Sequence, residues 1–294
     1  MSRLNADLVL LFAAAVWGVA FIFQKSAMDH IGPLAFIAAR GVLAALALAP
    51  LALQEHRRAT APRPRGFLAI TCWGGLVFFI AAWLQQAGIV TATVTNAGFL
   101  TALYVVITPF MVWGWTGKPA NPIVWPAAAL SALGTWLLGG GSLGSFSQGD
   151  ALVALSAVAW AAHVVITGSA ARFARPIGFT AMQFALVGVL GAAGAALLET
   201  VTLDGLAKAA VDIAYVSLLS SALTFTLLTV ALQYTPPSEV AVIVSLETVF
   251  AALAAYWVLG ERLGALGWVG ATLIMLAVLL IQLGSLLGAR RQRT

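Results

Sequence analysis

Three ionisable side chains fall inside long apolar stretches: Arg40, His163 and Glu247. A charge at the centre of a bilayer costs roughly 2.5–3.5 kcal/mol on insertion scales, so such groups are expected to bind something or to pair. The neutral polar residues Gln24, Gln85, Gln86, Asn96, Gln183 and Gln233 share these stretches, and so do Trp17, Phe78, Phe79, Trp83, Phe99, Tyr104, Trp160 and Phe225. Rings with a few interspersed polar groups suit a pocket for an apolar or aromatic moiety, with the polar groups fixing its orientation. Covalent chemistry is not indicated. No nucleophile is paired with a base, His30, His56 and His163 are scattered, and Cys72 is the lone cysteine, so no catalytic residues, no metal site, no cofactor and no disulfide framework are expected. There is no Walker motif, and Gly139-x-Gly141-x-x-Gly144 matches a dinucleotide fingerprint only formally, since no strand precedes it.

What must position these residues is a set of membrane helices. The 294 residues are 62% hydrophobic and 9% charged, with a mean hydropathy of +1.00, whereas soluble domains are about 25% charged. The excess of Lys and Arg sits in short loops and the C-terminal tail, which argues against nucleic acid as a partner. A spanning helix needs about 20 apolar residues, and cutting the chain at Pro, Gly and charges gives ten segments: about 7–27, 33–53, 66–87, 92–115, 122–140, 150–171, 176–198, 211–234, 238–259 and 265–287. Longer connections are expected at Gln54–Arg65, Gly139–Gly149 and Glu199–Lys208. Arg57, Arg58, Arg63 and Arg65, Lys118, Arg172 and Arg175, and Arg290, Arg291 and Arg293 all fall on one side, which the positive-inside rule makes the cytoplasm, with both termini there. The expected location is the bacterial inner membrane.

Trp17 and Trp160 each lie ten residues into their segments, about 15 Å deep and so near the midplane. The stripes Ala13, Trp17, Ala20, Gln24 and Ser156, Trp160, His163, Thr167 recur at helical spacing and read as interior faces. Phe78 and Phe99 fall at depths where they could meet the two tryptophans. Arg40 and Glu247 differ in depth by about 7 Å at the standard rise, close enough for a buried ion pair. Such a pair, or contacts to carbonyls, is the expectation for Arg40. For Glu247, pairing and a substrate or proton role stay open.

The two halves align without a gap. Asp7 matches Asp150, Trp17 matches Trp160, Ser26-Ala27 matches Ser169-Ala170, Pro33 matches Pro176, Phe36 matches Phe179, Gly117 matches Gly260 and Trp125 matches Trp268, each pair 143 positions apart. Five segments per half means that the second copy, residues 144–294, enters from the side opposite to the first, residues 1–143. The charge bias of equivalent loops reverses accordingly. The expected fold is therefore an all-α membrane protein with ten transmembrane helices in two inverted five-helix repeats. Such repeats mark secondary transporters with a site near the midplane.

Trp17-Gly18, Pro33 with Arg40, Pro109, Leu246-Glu247 with Val249-Phe250-Ala251-Ala252, Gly260-Glu261-Arg262 and Gly267–Leu280 form a pattern that resembles the EamA-type branch of the drug/metabolite transporter superfamily. The resemblance covers nearly the whole chain and implies export of amino acids or related metabolites. Thr248 stands where a proline is expected, leaving the ninth segment without that source of a kink, and Lys118 stands where an acidic residue often follows the fourth. The expectation is an exporter working by alternating access, not an enzyme. Its partners would be the lipid bilayer and a small-molecule substrate, with aromatic amino acids favoured by a pocket of Trp17, Phe78, Phe79, Phe99, Trp160, His163 and Phe225. A channel and a broad-specificity metabolite or drug efflux protein are the alternatives.

Overall fold

The computed structural model describes residues 1–59, 64–141, 147–260 and 262–291, with side chains to residue 284. Arg63, Gly144, Glu261 and Arg293, and the side chains of Arg290 and Arg291, lie outside the described residues. Among the described residues the chain is helical, with no strand. The helices are α1 (Arg3–Ala27), α2 (Pro33–Arg58), α3 (Phe67–Ile89), α4 (Val94–Thr101), α5 (Tyr104–Thr116), α6 (Val124–Leu138), α7 (Gln148–Ala171), α8 (Pro176–Leu198), α9 (Leu203–Lys208), α10 (Ala210–Ala214), a π-helical segment (Tyr215–Leu223), α11 (Thr224–Ala231), α12 (Pro237–Val244), α13 (Glu247–Leu259) and α14 (Ala265–Arg291).

Nine helical stretches among the described residues are long and apolar enough to cross a membrane. The fifth expected segment is the exception: α6 has 15 residues, about 22 Å at the standard rise. Its end is set by Gly140 and Gly141, whose φ values of 95° and 66° cannot continue a right-handed helix. The second segment runs longer than expected, since Gln54–Arg58 stays helical instead of opening a loop. The connection after Glu199 holds the short helix α9, capped by the Thr202 hydroxyl.

Two spans are broken at equivalent places. Val94–Thr116 divides at Ala102-Leu103 and Pro237–Leu259 at Ser245-Leu246, 143 residues on. Around each break the amides reach three residues back instead of four: Leu103 to Leu100, Val105 to Ala102 and Val106 to Leu103, then Leu246 to Ile243, Thr248 to Ser245 and Val249 to Leu246. In the first span Pro109 lies within α5 and contributes no amide hydrogen. In the second no proline is needed, because hydroxyls bond back to the turn: Ser245 Oγ donates to the Val242 carbonyl at 2.6 Å and Thr248 Oγ1 to that of Ser245 at 2.9 Å. The proline missing at position 248 thus does not keep the helix continuous.

α2 and α8, the equivalent elements beginning Pro33 and Pro176, pack against each other and run antiparallel. Each caps the other. Glu199, just past α8, accepts the Leu34 and Ala35 amides, both at 2.8 Å, at the start of α2. Glu55, in the last turn of α2, accepts the Ile177 and Gly178 amides at 3.1 and 2.7 Å at the start of α8. A carboxylate at a helix N-terminus satisfies orphan donors and meets the positive end of the dipole. Replacing Glu55 or Glu199 by Ala is expected to cost about 1–2 kcal/mol each, read as a lower unfolding midpoint of the detergent-purified protein, with the double variant near additive.

Candidate functional site

The core centres on Phe78, a fully buried residue of α3. Its ring lies 5.0 Å from Trp160, 5.1 Å from His163, 5.0 Å from Phe184 and 4.8 Å from Phe225, all edge-on. The Arg40 guanidinium stands 5.4 Å from its centroid. Edge-to-face packing of this kind locks rings in place. Trp17, from α1, joins at 4.9 Å from Phe225.

Beside this cluster lies a narrow cavity of about 60 Å³. Trp17, Gln24, Trp160, His163 and Phe225 line it, with Arg40, Glu247, Tyr104, Gln85, Thr101, Phe21 and Ser220 among the rest. Four of the seven expected pocket rings therefore face it. Phe78 does not; it stands behind Trp160 and Phe225 as their backing. Phe79, one residue around α3, packs between two core clusters. Phe99 precedes the break in its span and packs against Gly139 at the end of α6. From that span the cavity receives Thr101 and Tyr104 instead.

Tyr104 and Glu247 are the first residues of α5 and α13, 143 apart, so each broken span delivers one polar side chain from its second half to one cavity. They are near neighbours without a hydrogen bond of ordinary geometry between them. Their shared register with the Trp17–Trp160 repeat was a legible signal for Tyr104. Gly18 makes the approach possible: a Cβ there would sit 2.6 Å from the Glu247 carbonyl and 2.5 Å from Phe250 Cβ.

The π-helical segment supplies the remaining polar wall. Its amides reach five residues back, as Thr224 does to Leu219. The Ser220 carbonyl accepts the Trp17 indole N–H at 2.9 Å and the Thr224 hydroxyl at 2.7 Å. Ser221 Oγ accepts Arg40 Nε at 2.6 Å. Segments of this type cluster at functional sites. The equivalent stretch of α3 is an ordinary α-helix.

Arg40 and Glu247 border the same cavity but form no ion pair, so the pairing inferred from depth is not made. Depth alone does not say which way a side chain points around its helix. Five lining atoms, Gln24 Oε1, Tyr104 Oη, Trp160 Nε1, His163 Nδ1 and Glu247 Oε1, are buried with no hydrogen-bond partner among the described residues. His163 has committed Nε2 to Gln183 Oε1 at 3.0 Å. Orphaned buried polar atoms are few in folded proteins, and here they converge on one space. Among the described residues, no group of His, Cys, Asp and Glu could hold a metal ion.

The EamA-like transporter family matches the chain twice, over residues 4–140 and 147–283. The chain belongs to that family. Both ends of the second EamA match lie 143 residues beyond those of the first, the interval of the Trp17–Trp160 repeat. An Archaeoglobus fulgidus protein named as an uncharacterized transporter is 30% identical over 289 residues, covering 96% of this chain and 87% of its own. The Bacillus subtilis uncharacterized transporter YwfM is 27% identical over 297 residues, covering 98% and 96%. One solved crystal structure, 18% identical, superposes over the whole of both chains with a TM-score of 0.78, a likeness of fold. This EamA protein is thus a multi-pass membrane protein of a transporter family.

Proposed function

We propose that this protein exports amino acids, aromatic ones foremost, or related amphipathic metabolites, by alternating access around the cavity at Trp17 and Trp160. The observation that carries this is the lining itself: indole and phenyl rings together with one cation, Arg40, and one carboxylate, Glu247, unpaired with each other. An amino acid offers a matching set of an anion, a cation and a side chain. The two halves, 1–143 and 144–294, are read as inverted repeats, with α6 completing ten helices. The antiparallel, mutually capping α2 and α8 support this, as do the paired breaks. Discontinuous helices at equivalent places in two halves are the usual marker of a midplane transport site. We read both termini as cytoplasmic, in the bacterial inner membrane, a reading that the loop arginines support for the termini. The protein is read as a carrier and not an enzyme.

The test is counterflow. Purified protein in liposomes preloaded with an unlabelled amino acid should accumulate the same labelled amino acid transiently, with Phe, Trp and Tyr saturating at the lowest concentrations. Trp160→Ala should reduce that uptake at least about tenfold, as expected when a large binding ring is removed. No counterflow of any amino acid, alongside flux of an unrelated solute, sinks the assignment.

A further inference from the structure

Arg40 is 3% exposed, lies eight residues into an apolar span and borders the cavity. Among the described residues its side chain makes one hydrogen bond, from Nε to Ser221 Oγ, and has the Phe78 ring against its guanidinium. Neither partner carries a charge. No carboxylate among the described residues lies within 4.0 Å of it, and the cavity's own carboxylate, Glu247, is turned elsewhere. A buried cation without a counter-ion is costly, and an arginine with Nε occupied still has its two Nη groups, the end-on fork that grips a carboxylate with two parallel bonds. Ser221 fixes Nε from the π-helical segment, and the Phe78 ring lies against the guanidinium, so two contacts restrain the fork before anything binds.

We infer that Arg40 is the receptor for a carboxylate on the transported molecule and the residue by which the cavity selects acids over amines. The inference rests on the reading above only in taking this cavity as the substrate site. The orphaned Glu247 Oε1 in the same cavity is the complementary acceptor for an ammonium. Trp160 Nε1, a donor without an acceptor among the described residues, borders the same cavity. Acids without an amine should therefore bind as well, though more weakly than the full amino acid.

Three probes sharing one ring separate the charges: L-phenylalanine, 3-phenylpropionate and phenethylamine. Binding is read as thermal stabilisation of the full-length purified protein, and transport as counterflow in liposomes. The wild type should bind both carboxylates at least about 30-fold more tightly than the amine, the scale of a charge-assisted bidentate contact. Arg40→Gln should weaken both carboxylates by about 30-fold while leaving phenethylamine unchanged or tighter. Ser221→Ala keeps the charge and loses only its anchor; it should weaken the carboxylates about threefold and the amine not at all, and it decides the matter if the arginine variant does not fold. Equal affinity of phenethylamine and 3-phenylpropionate for the wild type overturns the inference. So does an equal loss of acid and amine in Ser221→Ala, or the absence of binding by any carboxylate. Binding of 3-phenylpropionate that depends on Arg40, without L-phenylalanine counterflow, upholds the carboxylate site and rejects amino-acid export. L-phenylalanine counterflow indifferent to Arg40→Gln does the reverse.

Discussion

A Gly41→Val protein is expected to be lost from membranes, with less than about a tenth of the wild-type yield surviving mild detergent extraction as a monodisperse species. The reason is where α2 crosses α8. A Cβ on Gly41 would stand 2.4 Å from the Gly188 amide nitrogen, 2.7 Å from its Cα and 2.9 Å from the Phe184 carbonyl oxygen. All three are backbone atoms and have no rotamer to yield. Gly188 and Gly191 press back in the same way on Val42 and Ala38. Small residues let membrane helices touch along their backbones, where packing and not hydrophobicity drives association. The helices would have to separate by about an ångström or more, and the displaced α2 carries Arg40 and the Glu55 cap. Overpacking typically costs 1–3 kcal/mol when side chains can repack; here nothing can, so the cost exceeds that range. Gly114→Val is the control. No atom lies within 4 Å of a Cβ at Gly114, and its yield should be near wild type.

Phe78→Ala should lower stability by about 3 kcal/mol, toward the low end for buried phenylalanines because the lipid-facing reference state removes part of the transfer term. The loss comes from four edge-on ring contacts made by one fully buried side chain. The same change takes the backing from Trp160 and Phe225 and the ring from beneath Arg40. Ligand stabilisation should therefore fall at least about tenfold even in the molecules that remain folded. Phe110→Ala removes a ring that is 55% exposed and whose ring contact among the described residues is with Trp125; it should shift the unfolding midpoint little. If the two variants unfold alike, Phe78 is not the keystone described above.

The all-helical membrane class and the repeat interval were legible because they depend on one-dimensional quantities: apolar length, and Asp, Trp and Pro recurring at a constant spacing. Trp17 and Trp160 on their stripes reached the cavity as expected. Direction around a helix axis was less legible. Phe99 has a suitable depth and faces elsewhere, as does Phe79, and Arg40 lies within reach of Glu247 by depth yet turns to Ser221. The breaks at Ala102-Leu103 and Ser245-Leu246 were hidden because the apolar runs continue straight through them. Tyr104, assessed as one aromatic among several, stood 143 residues before Glu247, the signal that singles it out. The C-terminal end of α6 was legible in Gly139–Gly141, but its start at Val124, later than the expected 122, was not.

The π-helical stretch sets more than its own carbonyls. Hydrogen bonds that reach five residues back turn the chain through a smaller angle per residue than those that reach four. Thr224–Ala231 consequently emerges pointing in a different compass direction from the one an uninterrupted α-helix would impose. Phe225, two residues past the stretch, owes its heading toward Phe78 and Trp17 to that accumulated lag. Shortening Tyr215–Leu223 by a single residue would leave every ring chemically intact and swing one of them out of the wall.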